Sequence, residues 1–300
     1  MKLLVTGAWH ASETDLNALR ALGHEVIWMQ NEKAALPCDP ACIEGAICNG
    51  LFLSHPIEAF INLRYIQLTS AGFDRVPMDY VKAHNIEIHN ARGVYSIPMA
   101  EFAVCGVLQL MKQSRFFMKN QQERRWEKHR NLVELFGKTV CIVGCGSVGT
   151  ECAKRFSAFG CEVTGVDLYP REDSAYVRMS ALADLNRELA RADVVVLTLP
   201  LTDETKHLMN AERFSHMKQG AILVNIARGA VIDTDALLTA LTAQLSGAVL
   251  DVFEEEPLPS ASALWDRENV IVTPHNSFVG DGNNERMFKV IFDNIRKDAN

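Results

Sequence analysis

The sequence predicts an α/β fold with two doubly wound domains, each built on a parallel sheet. Short apolar runs rich in β-branched residues, such as 139–143 and 192–199, alternate with helical patterns along the chain. A length of 300 residues exceeds that of one small domain. A Gly-rich segment also joins a strand pattern to a helix pattern near the middle of the chain. These observations favour two α/β domains in tandem.

The composition excludes several classes of protein. The hydrophobic share of 48% supports well-filled cores, and the net charge of −7 with no long basic run argues against nucleic acid or an anionic membrane as partner. No apolar run approaches the roughly 18 residues that a membrane-spanning helix needs. Eight cysteines are scattered without a CxxC pair, which favours reduced thiols over disulfides or a metal site. We therefore expect a cytoplasmic protein without a bound metal.

The order of elements suggests where the domains divide. Strand patterns at 2–6, 25–28, 45–48, 65–68 and 86–89, with helical stretches between most of them, describe a first α/β domain. Residues 90–98 have the composition of a connector, and an apolar helix follows at 99–111. We expect the domain boundary at 98/99. In the second domain, further strands are predicted at 139–143, 162–166, 192–199, 221–225, 247–251 and 270–272, with helices that include 180–190 and 234–245.

The Gly-rich segment has the pattern of a dinucleotide-binding turn. Gly144 follows the strand 139–143 and allows a tight turn, Gly146 permits close approach to a pyrophosphate, and Gly149 allows close packing of the helix on the strand. Ser147 and Val148 complete the loop, where free N–H groups of the helix start face the phosphates. Asp167 ends the next strand, eighteen residues after Gly149, where a carboxylate can accept from ribose hydroxyls. The alternative is a purely structural βαβ unit, in which the glycines only allow close packing.

Three polar residues of the second domain each follow a predicted strand. They are Arg228, Glu256 and His275. Strand carboxyl ends of an open α/β sheet point toward the ligand crevice, so the three side chains can converge there. Arg228 can bind a carboxylate bidentately, His275 can exchange a proton near neutral pH, and the carboxylate of Glu256 can orient the imidazole. Each residue also has an ordinary structural interpretation when taken alone.

Several segments resemble the signature motifs of the D-isomer-specific 2-hydroxyacid dehydrogenases. They are 224–233 (VNIARGAVID), 250–259 (LDVFEEEPLP) and 273–275 (TPH), and the similarity extends to the glycine loop, to 200–202 and to 70–72. The resemblance implies that Arg228 binds the substrate carboxylate and carbonyl, that His275 is the acid/base, and that Glu256 is its partner. Glu256 is chosen over its two neighbouring glutamates because it directly precedes Pro257.

The same resemblance implies the rest of the site and the architecture. The first domain would be a flavodoxin-like substrate domain of residues 1–98 plus 281–300, and the second a Rossmann domain of residues 99–280 that binds NAD. Backbone around Ser70, Ala71 and Gly72 would hold the substrate carboxylate. Family members pair as homodimers through the nucleotide domain, which would explain the charged segment 119–130 as a subunit contact or a solvated helix. Further cofactor contacts are implied at Pro200, Thr205, Ala227 and Asp251.

Two other functions remain open on the sequence. A dinucleotide-sensing corepressor resembles the same family and can keep the three polar residues, although this chain has no extended partner-recruiting tail. A 3-phosphoglycerate dehydrogenase without a regulatory domain is the second alternative. Against it, the loop 49–54 (NGLFLS) offers little positive charge for a phosphate.

Overall fold

The computed structural model describes residues 1–298, with side chains through 296. These residues form two units: unit 1 contains Met1–Tyr95 and the chain from Gly280 onward, and unit 2 contains Ser96–Val279. The first boundary lies three residues before the expected one, because the connecting helix begins at Ser96 rather than at Met99, and the second boundary lies one residue before the expected one. Residues 299–300, which the sequence assigned to the first domain, lie outside the described residues.

Unit 1 is built on a five-stranded parallel sheet. Its strands are β1 (Lys2–Thr6), β2 (Glu25–Met29), β3 (Gly45–Cys48), β4 (Tyr65–Leu68) and β5 (Glu87–His89), in the order β2-β1-β3-β4-β5. This is the flavodoxin-like order that the sequence predicted. The helices α1 (Glu13–Ala21), α2 (Leu51–Ser54) and α3 (Met78–Ala83) lie along the chain between the strands. Apolar cores form on both faces, one around Ile66 and Phe60 and the other around Val5 and Leu19.

Unit 2 contains a seven-stranded parallel sheet. The strands are β6 (Thr139–Val143), β7 (Glu162–Asp167), β8 (Arg178–Ala181), β9 (Val194–Leu197), β10 (Ile222–Asn225), β11 (Gly247–Leu250) and β12 (Val270–Val272). Their order is β12-β11-β10-β9-β6-β7-β8. Successive strands are therefore added in one direction from β6 to β8 and in the other direction from β9 to β12, and the topological switch point lies between β6 and β9. This is the predicted Rossmann arrangement, with one strand, β8, that was not predicted. A ligand crevice is expected at the carboxyl ends of these two strands.

Helices cover both faces of the unit 2 sheet. They are α4 (Ser96–Met111), α5 (Ser114–Gln122), α6 (Ser147–Ala158), α7 (Leu185–Leu189), α8 (Ala211–His216) and α9 (Thr234–Ala243). α4 packs against α6, and Gly106 permits this helix to approach the sheet, because a Cβ there would lie 2.6 Å from Val249 Cγ1. The helix predicted within 119–130 ends at Gln122, so most of that segment has no regular structure.

The last helix, α10 (Asn283–Asp298), returns to unit 1. Its inner face buries Met287, Ile291 and Ile295 in the same core as β1 and α1. Asn294 donates a hydrogen bond to Gln67 of β4 at 2.9 Å. Unit 1 is therefore made from two stretches of chain that are separated in the sequence by all of unit 2.

The helix predicted at 180–190 is wrong in its first half. Residues Arg178–Ala181 form β8, which pairs with β7, and the helix α7 begins only at Leu185. The buried carboxylate of Glu188 explains part of the difference. It accepts hydrogen bonds from Arg178 at 2.7 Å and from Ser180 at 3.0 Å, and so ties the strand to the helix. Such contacts leave no periodic signal in the sequence.

No helix within residues 1–298 combines the length and the apolar character that crossing a bilayer requires.

Candidate active site

The glycine loop between β6 and α6 has the geometry of a phosphate cradle. Gly144 has a φ of +95°, and a Cβ there would lie 2.6 Å from the Leu199 backbone nitrogen, so only glycine fits. A Cβ on Gly149 would lie 2.2 Å from the Gly144 carbonyl oxygen. By contrast, a Cβ on Gly146 would meet no atom within 4 Å. The loop is therefore closed on its protein side and open at Gly146, as a pyrophosphate requires.

Asp167 is held beside this loop at the end of β7. Its Oδ2 accepts a hydrogen bond from the Cys145 N–H at 2.7 Å, and its Oδ1 accepts one from the Tyr169 N–H at 3.0 Å. A carboxylate has about four acceptor positions, so two remain for ribose hydroxyls. Burial raises the pKa of the Cys145 thiol to about 11, so this side chain remains a neutral thiol.

Arg171 lies next to the same loop. It donates a hydrogen bond to the Cys145 carbonyl at 2.9 Å and also contacts Asp173. The Arg171 guanidinium and the Asp167 carboxylate are thus both hydrogen-bonded to the backbone of Cys145. This is the side of the loop where the ribose of a dinucleotide would lie.

His275 and Glu256 form a hydrogen-bonded pair. His275 Nδ1 lies 2.9 Å from Glu256 Oε2, and the other oxygen of Glu256 accepts from the Phe253 N–H at 3.0 Å. The side chains are 43% and 36% exposed, so both remain accessible to solvent. With Nδ1–H donating to the carboxylate, Nε2 is the ring nitrogen left to exchange a proton with a bound molecule.

Asp251 fixes the segment that carries His275. This fully buried carboxylate accepts hydrogen bonds from the Thr273 hydroxyl at 2.6 Å, the Asn276 N–H at 2.8 Å and the Ser277 N–H at 2.9 Å. The His275 N–H donates to the Asp251 carbonyl, and the residue takes a left-handed φ of +51°. This anchoring function was not predicted from the sequence, and the contact of Asp251 with the cofactor stays a prediction.

Arg228 follows β10 in an extended conformation. Its guanidinium donates to the Ala227 carbonyl at 2.8 Å, and its own carbonyl accepts from the Asn225 side chain at 3.0 Å. The next residue explains the glycine of the motif, because a Cβ on Gly229 would lie 1.8 Å from the Phe253 carbonyl carbon. The Arg228 turn therefore packs directly on the backbone that leads to Glu256.

The loop after β9 is ordered by Thr205. Its hydroxyl donates to the Pro200 carbonyl at 2.8 Å and accepts from the Thr202 N–H at 2.7 Å. Thr198, just before Pro200, donates to the Gly144 carbonyl at 2.5 Å and so joins this loop to the glycine loop. Pro200 and Thr205, which are predicted to contact the cofactor, thus follow β9 at the same edge of the sheet as Gly144, which follows β6.

In unit 1, a turn with open backbone donors follows β4. Ser70 donates to the Gly72 carbonyl at 3.0 Å, and Asn90 donates to the Ala71 carbonyl at 2.6 Å. Within residues 1–298, no protein acceptor receives the N–H of Ala71 or of Gly72. These two donors can bind a carboxylate. Among the described residues, no cluster of three His, Cys, Asp or Glu side chains could hold a metal ion.

The sequence profile described as "D-isomer specific 2-hydroxyacid dehydrogenase, NAD binding domain" matches residues 104–277. The chain belongs to the D-isomer-specific 2-hydroxyacid dehydrogenases. It is an NAD-dependent oxidoreductase that interconverts a 2-keto acid and a D-2-hydroxy acid, and the family assignment made on the motifs is confirmed.

Individual relatives of this family cover most of the chain. A glyoxylate reductase of Thermofilum pendens is 37% identical over 73% of this chain and 67% of its own length. An (S)-sulfolactate dehydrogenase of Chromohalobacter salexigens is 32% identical over 80% of this chain and 79% of its own. Among solved structures, a family member from Xanthobacter autotrophicus in complex with NADPH and MES has a TM-score of 0.81 at 30% identity, covering 99% of this chain and 94% of its own.

Proposed function

We propose that this dehydrogenase reduces a small 2-keto acid with His275 as the proton donor. The observation that carries the proposal is the 2.9 Å contact between His275 Nδ1 and Glu256 Oε2, which leaves Nε2 to protonate the substrate oxygen. Glu256 is a positioning residue that holds the ring and stabilises its charge once the proton is bound. In the oxidative direction, the neutral imidazole takes the hydroxyl proton back.

Substrate orientation is assigned to Arg228 and to the turn after β4. The planar guanidinium can bind the carboxylate and the keto oxygen together, which fixes the face of C2. The N–H groups of Ala71 and Gly72 supply further donors for the carboxylate, and Ser70 shapes their turn through its bond to the Gly72 carbonyl. All of these contacts recognise the 2-keto acid itself rather than its side chain.

The cofactor is assigned to the loops at the carboxyl ends of β6, β7 and β9. The N–H groups of the glycine loop, with Ser147 and Val148 at the start of α6, would hold the pyrophosphate, and Asp167 would accept from the ribose. When bound, the reduced nicotinamide supplies the hydride that adds to C2 of the keto acid. The contacts assigned to Pro200, Thr205, Ala227 and Asp251 complete this set.

The names of relatives direct the substrate test toward small keto acids. The relatives include glyoxylate reductases. We therefore expect NADH oxidation with glyoxylate or hydroxypyruvate to exceed that with phenylpyruvate or branched 2-keto acids in kcat/KM. The corepressor alternative predicts cofactor binding without turnover of any keto acid. Absence of NADH oxidation across the whole set would therefore contradict the proposed function.

We expect a preference for NAD over NADP that rests on Asp167. A 2′-phosphate would approach this carboxylate and lose the ribose hydrogen bond, a penalty of about 2 kcal/mol. The Arg171 guanidinium, which donates to the Cys145 carbonyl, would bring a positive charge near that phosphate and reduce the penalty. Asp167→Asn should lower the NADH/NADPH ratio of kcat/KM by about tenfold, while Asp266→Asn, at an exposed position of unit 2, serves as the control. Equal use of both cofactors by the unmodified enzyme would contradict the role of Asp167.

A cytoplasmic homodimer is the expected state of the protein. All eight cysteines are free thiols, which suits a reducing compartment. The segment after α5 exposes large apolar side chains, with Trp126 97% exposed and Phe136 75% exposed. Such exposure in a single chain is typical of a surface that is covered by a second subunit. Light scattering after size exclusion should give twice the chain mass, and Trp126→Glu should shift it toward the monomer. With a net charge of −7, we expect no binding to nucleic acid.

A further inference from the structure

The carboxyl edge of the unit 1 sheet carries a fixed negative charge. Glu32 Oε1 accepts hydrogen bonds from the Thr6 hydroxyl and from the Asn49 N–H, both at 2.7 Å. Its Oε2 accepts from the Gly50 N–H at 2.7 Å. The three donors come from the ends of β1 and β3, so the carboxylate is held by the strand ends rather than exposed on a free side chain.

This charge lies close to the turn assigned to the substrate carboxylate. β3 and β4 are neighbours with Cys48 opposite Leu68, and the pairing continues because the Thr69 N–H donates to the Cys48 carbonyl at 2.9 Å. Gly50 and Ser70 therefore stand at adjacent strand ends, which are about 5 Å apart in a sheet. No salt bridge joins Glu32 to a cation in the part of the chain that the structure describes, and the Arg75 side chain passes the same turn, with its Cδ 4.0 Å from the position of a Cβ on Gly50.

Glu32 also takes the backbone donors that would otherwise bind an anion at this edge. The N–H groups of Asn49 and Gly50 both point to its carboxylate. A phosphate, sulfonate or second carboxylate on a substrate would find these donors occupied and would approach a like charge. The occupied donors and the like charge both act against a keto acid with a second anionic group, but not against one with a neutral side chain. Specificity often depends on such repulsion of the wrong ligand.

We propose that Glu32 is a specificity-determining residue that restricts the enzyme to 2-keto acids whose side chain carries no second anionic group. The proposal rests on the proposed function, because it needs a keto acid held at the turn of Ser70–Gly72. It makes glyoxylate, pyruvate and hydroxypyruvate the substrate class, and it rejects phosphorylated, sulfonated and dicarboxylic analogues. The repulsion acts through space and weakens with added salt.

The test compares hydroxypyruvate with 3-phosphohydroxypyruvate, which differ only in the phosphate. For each enzyme, the ratio of the two kcat/KM values is measured from NADH oxidation. Glu32→Gln removes the charge and should raise the relative rate of the phosphorylated substrate about tenfold or more. Glu32→Asp keeps the charge and should retain the preference of the unmodified enzyme. Glu58→Gln removes an exposed carboxylate elsewhere in unit 1 and is the matched control.

A second pair of variants tests the same charge without changing Glu32. Leu53 is 69% exposed, and its Cδ1 lies 3.6 Å from the position of a Cβ on Gly50. Leu53→Lys brings a cation toward the carboxylate and should shift the ratio in the same direction as Glu32→Gln, whereas Leu53→Gln should not. If circular dichroism shows that Glu32→Gln does not fold, the comparison of Leu53→Lys with Leu53→Gln still tests whether the charge of Glu32 sets the substrate preference.

The possible outcomes separate this inference from the proposed function. If neither Glu32→Gln nor Leu53→Lys changes the ratio while hydroxypyruvate is still reduced, Glu32 does not set specificity. The inference is equally overturned if the unmodified enzyme reduces the phosphorylated substrate as well as hydroxypyruvate. If the unmodified enzyme oxidises NADH with no 2-keto acid, the proposed function fails first.

Discussion

The carboxyl edges of the two sheets offer different kinds of chemical groups. In unit 2, side chains follow the strands, and each is fixed by hydrogen bonds: Glu256 by the Phe253 N–H, and the His275 segment by Asp251. In unit 1, the turn after β4 offers the backbone N–H groups of Ala71 and Gly72 instead. Proton transfer depends on a particular side chain, whereas a backbone donor survives most substitutions. Side-chain changes should therefore affect activity far more in unit 2 than in unit 1.

The largest expected effect is that of His275→Ala. Without the imidazole no group donates a proton to the substrate oxygen, and kcat/KM for glyoxylate should fall about a thousandfold. NADH affinity, followed by nucleotide fluorescence, should change little. His216→Ala removes an exposed histidine of α8 and serves as the control. Activity within tenfold of the unmodified enzyme would show that another group is the acid.

Arg228→Lys should lower kcat/KM about a hundredfold. Lysine keeps the charge but loses the planar fork that orients the carboxylate and the keto oxygen together. Arg191→Lys, at an exposed position of unit 2, is the matched control. Steady-state kinetics with glyoxylate measure the effect. Retention of full activity would mean that the guanidinium geometry is not used.

Glu256→Gln should lower kcat by about tenfold to fiftyfold, with a smaller change in KM. The amide can still contact the ring, but it no longer specifies that Nδ1 carries the hydrogen, so Nε2 is less often in the reactive state. Glu256→Asp should recover part of the loss, and Glu255→Gln should have no effect. A rise in KM with unchanged kcat would assign Glu256 to binding rather than to positioning of the histidine.

The smallest effect is expected in unit 1. Ser70→Ala removes the hydroxyl that donates to the Gly72 carbonyl but leaves both backbone donors in place. KM should rise about twofold to fivefold while kcat stays constant, as for loss of one supporting hydrogen bond. Ser54→Ala is the control in the same unit. A loss as large as that of Arg228→Lys would contradict the contrast between the two edges.

The residue types of the site could be predicted from the sequence, but their supporting contacts could not. Gly144, Gly149 and Asp167 are recognisable because a tight turn, close packing and a strand-end acid require specific residues at fixed spacing. The carboxylates of Asp251 and Glu32 accept from backbone N–H groups that are distant in sequence, at 276–277 and 49–50, and such contacts follow only from the folded chain.

The strands were predicted where the sequence has a short apolar run. The run 194–197 (VVVL) is wholly apolar and was recognised as a strand, whereas the edge strand 178–181 (RMSA) was missed and its last two residues were included in the predicted helix 180–190. An edge strand needs no continuous apolar run, because only part of it faces the core. The side chains of Arg178 and Ser180 instead satisfy the buried Glu188, and this partnership has no local sequence signature.

The return of α10 to unit 1 has a consequence for synthesis on the ribosome. The core around Leu3, Leu19 and Trp9 includes Ile291 and Ile295, which emerge only after unit 2 has been translated. Unit 2 is continuous in the chain, so it can reach its native topology while the first sheet still exposes one apolar face. Residues 1–95 of the nascent chain therefore lack the last helix until synthesis ends, and during that interval they are the part of the polypeptide most dependent on chaperones.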